Sequence, residues 1–247
     1  MERRRLYIGS ELTADASVAL QDATTHYALN VLRLSDGAAI EAFDGNGNAF
    51  QATLRVHNKR HASLEVGTAV DEDRESPLSL HLLQVVSRGE KMDWTIQKAV
   101  ELGVRSIRPL SSRYCNVKLD DDRADRRHRH WISIITSACE QCGRNTLPAL
   151  LPLRSLAEEL ADAASATFQQ RWLFEPGAAQ SLAACSVKPT DSIAVLIGPE
   201  GGFSEEEIAQ IRAAGFQTLR FGPRILRTET AAIASISAIQ SRWGDMA

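Results

Sequence analysis

Two short stretches near the end of the chain carry the residues best suited to chemistry. The first begins with the apolar run Ile193 to Ile197, which breaks into Gly198-Pro199-Glu200-Gly201-Gly202. The second, Leu219 to Ala232, sets Arg224, Arg227 and Glu229 among Thr228 and Thr230, between two apolar segments. Glycines after a strand commonly serve phosphate, but here Ser204 with Glu207 three residues on forms a capping box. The cap occupies free N–H groups and adds carboxylates where phosphate needs positive field. Glu200 adds another, and no Gly-Lys-Ser/Thr follows. A ligand with an adenosine-like part, a positive centre and no phosphate suits this loop better. In the second stretch, packing alone does not explain two arginines and a glutamate before the small apolar helix Ala231 to Ile239, since unpaired buried charge is costly.

Both stretches read as a buried strand, a glycine-bearing loop and then a helix, and strand ends are where ligands sit in open α/β folds. The elements needed to hold them precede them. Leu78 to Val86, Ser106 to Leu110, Thr167 to Phe174 and Ser192 to Ile197 read as strands. Met92 to Leu102, Arg126 to Cys142 and Ser155 to Ala164 read as helices. This alternation predicts a mostly parallel sheet covered on both faces. Earlier in the chain the pattern is mostly β. Leu6 to Ile8, Ala38 to Phe43, Ala49 to Val56 and Ala62 to Val70 surround the turn sequences Asp44-Gly-Asn-Gly-Asn48 and His57-Asn-Lys-Arg-His61, with a short helical patch at Tyr27 to Leu34. A small twisted sheet or barrel is expected there.

The 247 residues allow one large domain or two modest ones. The formal charge of −3 is not spread along the chain: Asp71 to Pro77 holds four acidic residues and one basic, which accounts for the deficit. That segment reads as a linker at 71–77 between domains at 1–70 and 78–247. Cys139 and Cys142 form a C-x-x-C, but Cys115 and Cys185 supply no second pair, so reduced thiols and no metal are expected. No apolar stretch approaches the roughly 20 residues that cross a membrane. The sequence after Arg5 is too polar for a signal peptide, and a cytoplasmic protein is expected.

The stretches Ile197 to Phe203 and Leu219 to Ala231, taken together, closely resemble the 16S ribosomal RNA uridine-N3 methyltransferase family of the SPOUT superfamily. His26 to Arg33, Arg88-Gly-Glu-Lys91, Gln97 to Val104 and Glu140-Gln-Cys-Gly-Arg144 fit the same family. The resemblance implies an α/β fold: a knotted SPOUT methyltransferase domain, with a mostly parallel sheet and C-terminal trefoil knot, preceded by a small PUA-like β-barrel that binds RNA. It implies S-adenosylmethionine as cofactor, held by Phe174, Leu196, Ile197, Gly198, Pro199, Glu200, Gly201, Gly202, Phe221, Gly222, Ile225, Leu226, Thr228, Thr230 and Ala231. It implies 16S rRNA or the small ribosomal subunit as partner, and a homodimer. Arg4, Arg5, Arg33, Arg88, Lys91 and Arg144 are candidate RNA contacts, with Arg3, Lys59 and Arg60 as further phosphate contacts. No role is carried onto Tyr114 or Cys115, where the chain departs from the family pattern.

Uridine N3 is a poor nucleophile until its proton leaves, so such a site must align the reactants, assist deprotonation and stabilise charge on the flanking carbonyls. Arginine suits the last task, being always charged and able to donate two parallel hydrogen bonds. The catalytic candidates are Arg227, then Arg224, with Glu229 as orienting carboxylate or base. Two other readings stay open: a SPOUT methyltransferase acting on another RNA or base atom, and a noncatalytic RNA-binding assembly factor.

Overall fold

The structure, a computed structural model, describes residues 4–115, 121–163 and 168–246. Arg3 and the expected strand start at Thr167 lie outside them. The chain divides into two compact units: Met1–Glu75 with Thr136–Leu147, and Ser76–Ile135 with Pro148–Ala247.

The first unit is a five-stranded sheet of β1 (Arg5–Tyr7), β2 (Ser17–Ala19), β3 (Ala39–Phe43), β4 (Ala49–Asn58) and β5 (His61–Ala69), in the order β1-β3-β4-β5-β2. Only β1 and β3 pair in parallel. Alternation along β4 and β5 turns Leu54 and Leu64 inward, beside Leu6 and Ile40. The Asp44 to Asn48 turn closes as its composition predicts, with the Asp44 carboxylate accepting from the Asn46 amide and the Asn48 side chain, both at 2.7 Å. Gly45 and Gly47 supply the positive φ there. The expected helical patch is longer and irregular: α1 (Asp22–His26) runs into a single π-helical turn, Tyr27–Val31.

Two of the sequence motifs meet inside this unit. Glu140 accepts from the Tyr27 hydroxyl at 3.0 Å and from the Tyr7 amide at 3.1 Å. Burial, then the Glu140 charge, pushes the Tyr27 pKa up to about 12. The boundary between the two units, Glu75/Ser76, falls inside the acidic segment, and Glu75 is held by an ion pair. Arg144, 4 % exposed, donates to Glu75 at 2.6 Å, and Glu75 also accepts from the Thr146 amide. Of the acids in this segment, Glu75 answers the buried arginine, while Glu72 pairs with exposed Arg74.

The second unit holds a parallel eight-stranded sheet. Its strands are β6 (Ser79–Val85), β7 (Ser106–Ser111), β8 (Ala149–Leu150), β9 (Arg154–Ser155), β10 (Gln170–Phe174), β11 (Gln180–Ser181), β12 (Ser192–Ile197) and β13 (Gln217–Arg220). The order is β11-β13-β10-β12-β6-β7-β8, with β9 also on β7. Central strands β6 and β12 pair from Ser79↔Ser192 to Gln84↔Ile197; β12 is apolar after Ser192, and β6 carries Ser79, His81 and Gln84 among its apolar residues. Helices α2 (Glu90–Glu101), α4 (Leu156–Ala163), α5 (Glu205–Ala213) and α6 (Thr228–Trp243) surround it, and α6 packs on α2. Helix α3 (Asp121–Cys142) is shared, its last turns clustering with the first unit. No helix among the described residues is long and apolar enough to cross a membrane.

His81 on β6 bonds Ser79 and Ser106 through its two ring nitrogens, at 3.0 and 2.7 Å. Burial, with Arg105 nearby, pushes its pKa down to about 4 from an ordinary 6.5. The folded protein therefore keeps His81 neutral over a range in which the unfolded chain protonates it. Between pH 6.5 and 4 the unfolded state binds more protons, so stability falls as pH falls. Urea unfolding at pH 7 and pH 5 should show a larger loss for the wild type than for His81→Gln. Equal losses in both proteins would contradict this origin.

Candidate functional site

The apolar run of β12 ends at Ile197, and the chain must turn to enter α5. The turn is Pro199 to Gly202, closed by the Gly202 amide donating to the Pro199 carbonyl at 3.0 Å. Ser204 and Glu207 form the full capping box, Ser204 accepting from the Glu207 amide and Glu207 from the Ser204 amide. The N-terminus of α5 is thus satisfied by the protein itself. The second loop leaves β13 at Phe221 and enters α6 at Thr228, the expected apolar helix, whose Ala232, Ser235, Ile236 and Ile239 are buried.

Between these loops, beyond the carboxyl ends of β10 and β12, lies a cavity of about 600 Å³. Its walls are Phe174, Ile197 to Phe203, Phe221 and Arg224 to Thr228, with Ala231 and Lys91. Ligands of open α/β sheets bind at this end of the strands. Of the residues expected at a cofactor site, Leu196, Gly222 and Thr230 do not line the cavity and the others do. Arg224 and Arg227 line it with exposed side chains, whereas Glu229 is buried in the first turn of α6 and does not. Its Oε2 atom lacks a hydrogen-bond partner among the described residues. Lys91, expected on the RNA, lines the cavity as well. Leu173, Glu175, Pro176, Phe203 and Ile208 join them without having been expected. Glu175 and Pro176 directly follow β10, so the strand-end rule extended to that strand would have found them.

The two loops are bonded to each other. The Thr228 hydroxyl donates to the Gly198 carbonyl at 2.7 Å and accepts from Gln84 Nε2 at 3.0 Å. Phe174 and Phe221 meet edge to face at 6.0 Å, giving the cavity an aromatic wall. Lys91 donates to Glu200 at 3.0 Å. Burial opposes the charge on Glu200, but its backbone amide, Lys91 and the Arg88 backbone outweigh that and hold its pKa below the usual range. The pocket thus combines apolar and aromatic walls with an ionised carboxylate, and the N-terminus of α5 beside the first loop is already occupied by its capping box. That fits a flat heterocycle attached to a positive centre. Among the described residues, no group of His, Cys, Asp and Glu could hold a metal ion. Burial pushes the Cys139 thiol up to about 12.

The glycines are required for different reasons. A Cβ on Gly198 would lie 2.9 Å from the Phe203 ring, and one on Gly201 would lie 3.2 Å from the Tyr114 Cβ. Gly202 has open space but sits at φ +70°, so its need is conformational. Tyr114 packs on this loop although no role was expected of it.

Comparison with known proteins agrees with this geometry. Residues 74–240 match the RNA methyltransferase domain family and residues 20–67 the RNA methyltransferase PUA domain. The ribosomal RNA small subunit methyltransferase E of Buchnera aphidicola is 36 % identical, covering 98 % of this chain and 97 % of its own. That of Bacillus subtilis is 31 % identical over 87 % and 86 %. A crystal structure of ribosomal RNA small subunit methyltransferase E from Neisseria gonorrhoeae bound to S-adenosyl methionine superposes with a TM-score of 0.91, at 40 % identity and full coverage of both chains. A Legionella pneumophila structure in complex with the same cofactor reaches 0.94 at 36 % identity, covering 99 % of this chain and 100 % of its own.

Gly202→Ala forces a side chain into the left-handed region and should cost about 1–2 kcal/mol of stability in urea unfolding. Gly177→Ala, where φ lies outside the left-handed region and no atom lies within 4 Å, should cost nothing measurable. Equal effects would remove conformational need as the reason for Gly202.

Proposed function

Because the chain belongs to the RNA methyltransferase family through both its methyltransferase and its PUA domain, we propose that it transfers a methyl group from S-adenosylmethionine to N3 of a uridine in 16S ribosomal RNA. The observation that carries the reading is the two-loop cavity, with glycine-lined backbone, an aromatic pair and an ionised Glu200 on its walls and two exposed arginines at its margin.

When bound, S-adenosylmethionine supplies an electrophilic methyl group. The chain's own residues do the rest. The 198–202 loop lets main chain approach a flat adenosine closely. The ionised Glu200 offers negative potential to a positive centre. Arg227, with Arg224, stabilises the charge that spreads onto the uridine carbonyls as N3 loses its proton. The N3 atom lies on the pairing edge, so the uridine must be unpaired or extruded to react. Buried Glu229 is suited to ordering the start of α6 beneath Arg227 rather than to touching the base.

The first unit serves RNA binding in this reading, with residues 78–247 carrying the methyl transfer. Exposed Arg4 and Arg33 are its contacts, joined by Arg88 in the turn before α2. Arg5 pairs with Glu41, and Arg144 with Glu75, which leaves both guanidiniums little surface to offer to RNA. A C-terminal trefoil knot is part of the same proposal. A homodimer belongs to the same proposal, and the small-residue helix Ala231 to Ile239 is the stretch that offers close approach to a second copy. The cytoplasm, where small-subunit RNA is assembled, is the compartment proposed.

Arg227→Ala should leave S-adenosylmethionine affinity within a few fold while lowering turnover about 10²-fold or more, the scale of losing one oxyanion donor. Arg227→Lys should recover little, because a point charge does not reproduce the paired donors. Titration calorimetry and single-turnover methylation of small-subunit RNA measure both. A cofactor-competent Arg227→Ala with near-normal transfer would remove Arg227 from the mechanism.

A further inference from the structure

Gln84 is the one polar residue in the otherwise apolar stretch Leu82 to Val86, and it is wholly buried at the centre of the second unit's sheet. It lies beside Ile197 in the β6–β12 register, one residue before the first loop opens. It does not line the cavity. A buried amide at that position costs stability unless its hydrogen bonds repay it, and the bonds it makes have a fixed direction. Its Nε2 donates to the Val85 carbonyl at 2.9 Å and to the Thr228 hydroxyl at 3.0 Å. A carbonyl only accepts, so Val85 determines which end of the amide is nitrogen. Thr228 Oγ1 must then accept from Gln84, and its single proton is directed to the Gly198 carbonyl, 2.7 Å away. The relay runs one way, from Gln84 through Thr228 to Gly198.

We propose that Gln84 is a positioning residue for the cofactor site: buried behind the wall, it orients the Thr228 hydroxyl and so clamps the 198–202 loop against the start of α6. Each loop alone is a glycine-bearing turn with freedom to shift. The relay ties both to the sheet floor, at the residues where they line the cavity. The Gln84 Oε1 atom is buried without a hydrogen-bond partner among the described residues, so the amide is kept for what its nitrogen does. This inference rests on the reading that the cavity binds S-adenosylmethionine.

A double-mutant cycle on the full-length protein tests it, with S-adenosylmethionine affinity read by calorimetry and methyl transfer by steady-state kinetics. Gln84→Leu should weaken cofactor binding about tenfold, the scale of one buried hydrogen bond. The KM for cofactor should rise in step, while kcat at saturating cofactor stays within about threefold. Thr228→Val should weaken binding at least as much, and the double variant should bind no worse than Thr228→Val alone, because Gln84 acts only through that hydroxyl. Gln84→Met, a flexible apolar side chain of similar length, repeats the measurement should the leucine variant not fold. Unchanged affinity in the Gln84 variants, additive losses in the cycle, or equal falls in kcat and active fraction would overturn the proposal. Failure of the wild type itself to bind the cofactor would instead overturn the functional reading beneath it.

Discussion

The bond from the Thr228 hydroxyl to the Gly198 carbonyl is the constraint on which the site depends. Two loops that leave neighbouring regions of one sheet have no intrinsic reason to keep a fixed separation. Loop backbone is the least determined part of a fold, and each turn here contains a glycine at positive φ. Holding the loops together costs conformational entropy, which one hydrogen bond at the surface would scarcely offset. Here the bond is made by a buried threonine against a floor of parallel strands, where its loss would leave polar atoms unsatisfied. The rigidity of the sheet is thus passed to the cavity wall.

The same economy governs the electrostatics. Glu200 stays ionised because its own amide and Lys91 face it. Arg224 and Arg227 carry exposed charge at the margin of the pocket, where charge can meet an incoming polyanion. Buried arginines behave otherwise: Arg5 and Arg144 are matched with carboxylates and hold the first unit together. Residue type alone does not separate these two uses of arginine, and burial does.

Much of the fold was legible because its signals are local. The run Ile193 to Ile197, the Ser204 to Glu207 cap and the Asp44 to Asn48 turn each state their structure within a few residues, and all three formed as read. The strand-loop-helix pattern also located most of the cavity wall. What stayed hidden depends on partners distant in sequence. Nothing near Glu75 announces that it receives Arg144, 69 residues on. Nothing near Tyr27 announces Glu140. The two-residue strands β8, β9 and β11 are too short for any period to register. One signal was available and unused: a glutamine inside an apolar, fully covered strand at Gln84.

At the first loop, the capped α5 and the ionised Glu200 disfavour phosphate, while the aromatic wall favours adenosine. Titration calorimetry of the purified chain with S-adenosylmethionine, and separately with ATP, examines that selection most directly. A single saturable site for S-adenosylmethionine, undiminished by excess ATP, is the predicted result. ATP binding at comparable strength, or displacing S-adenosylmethionine, would contradict the assignment of the cavity.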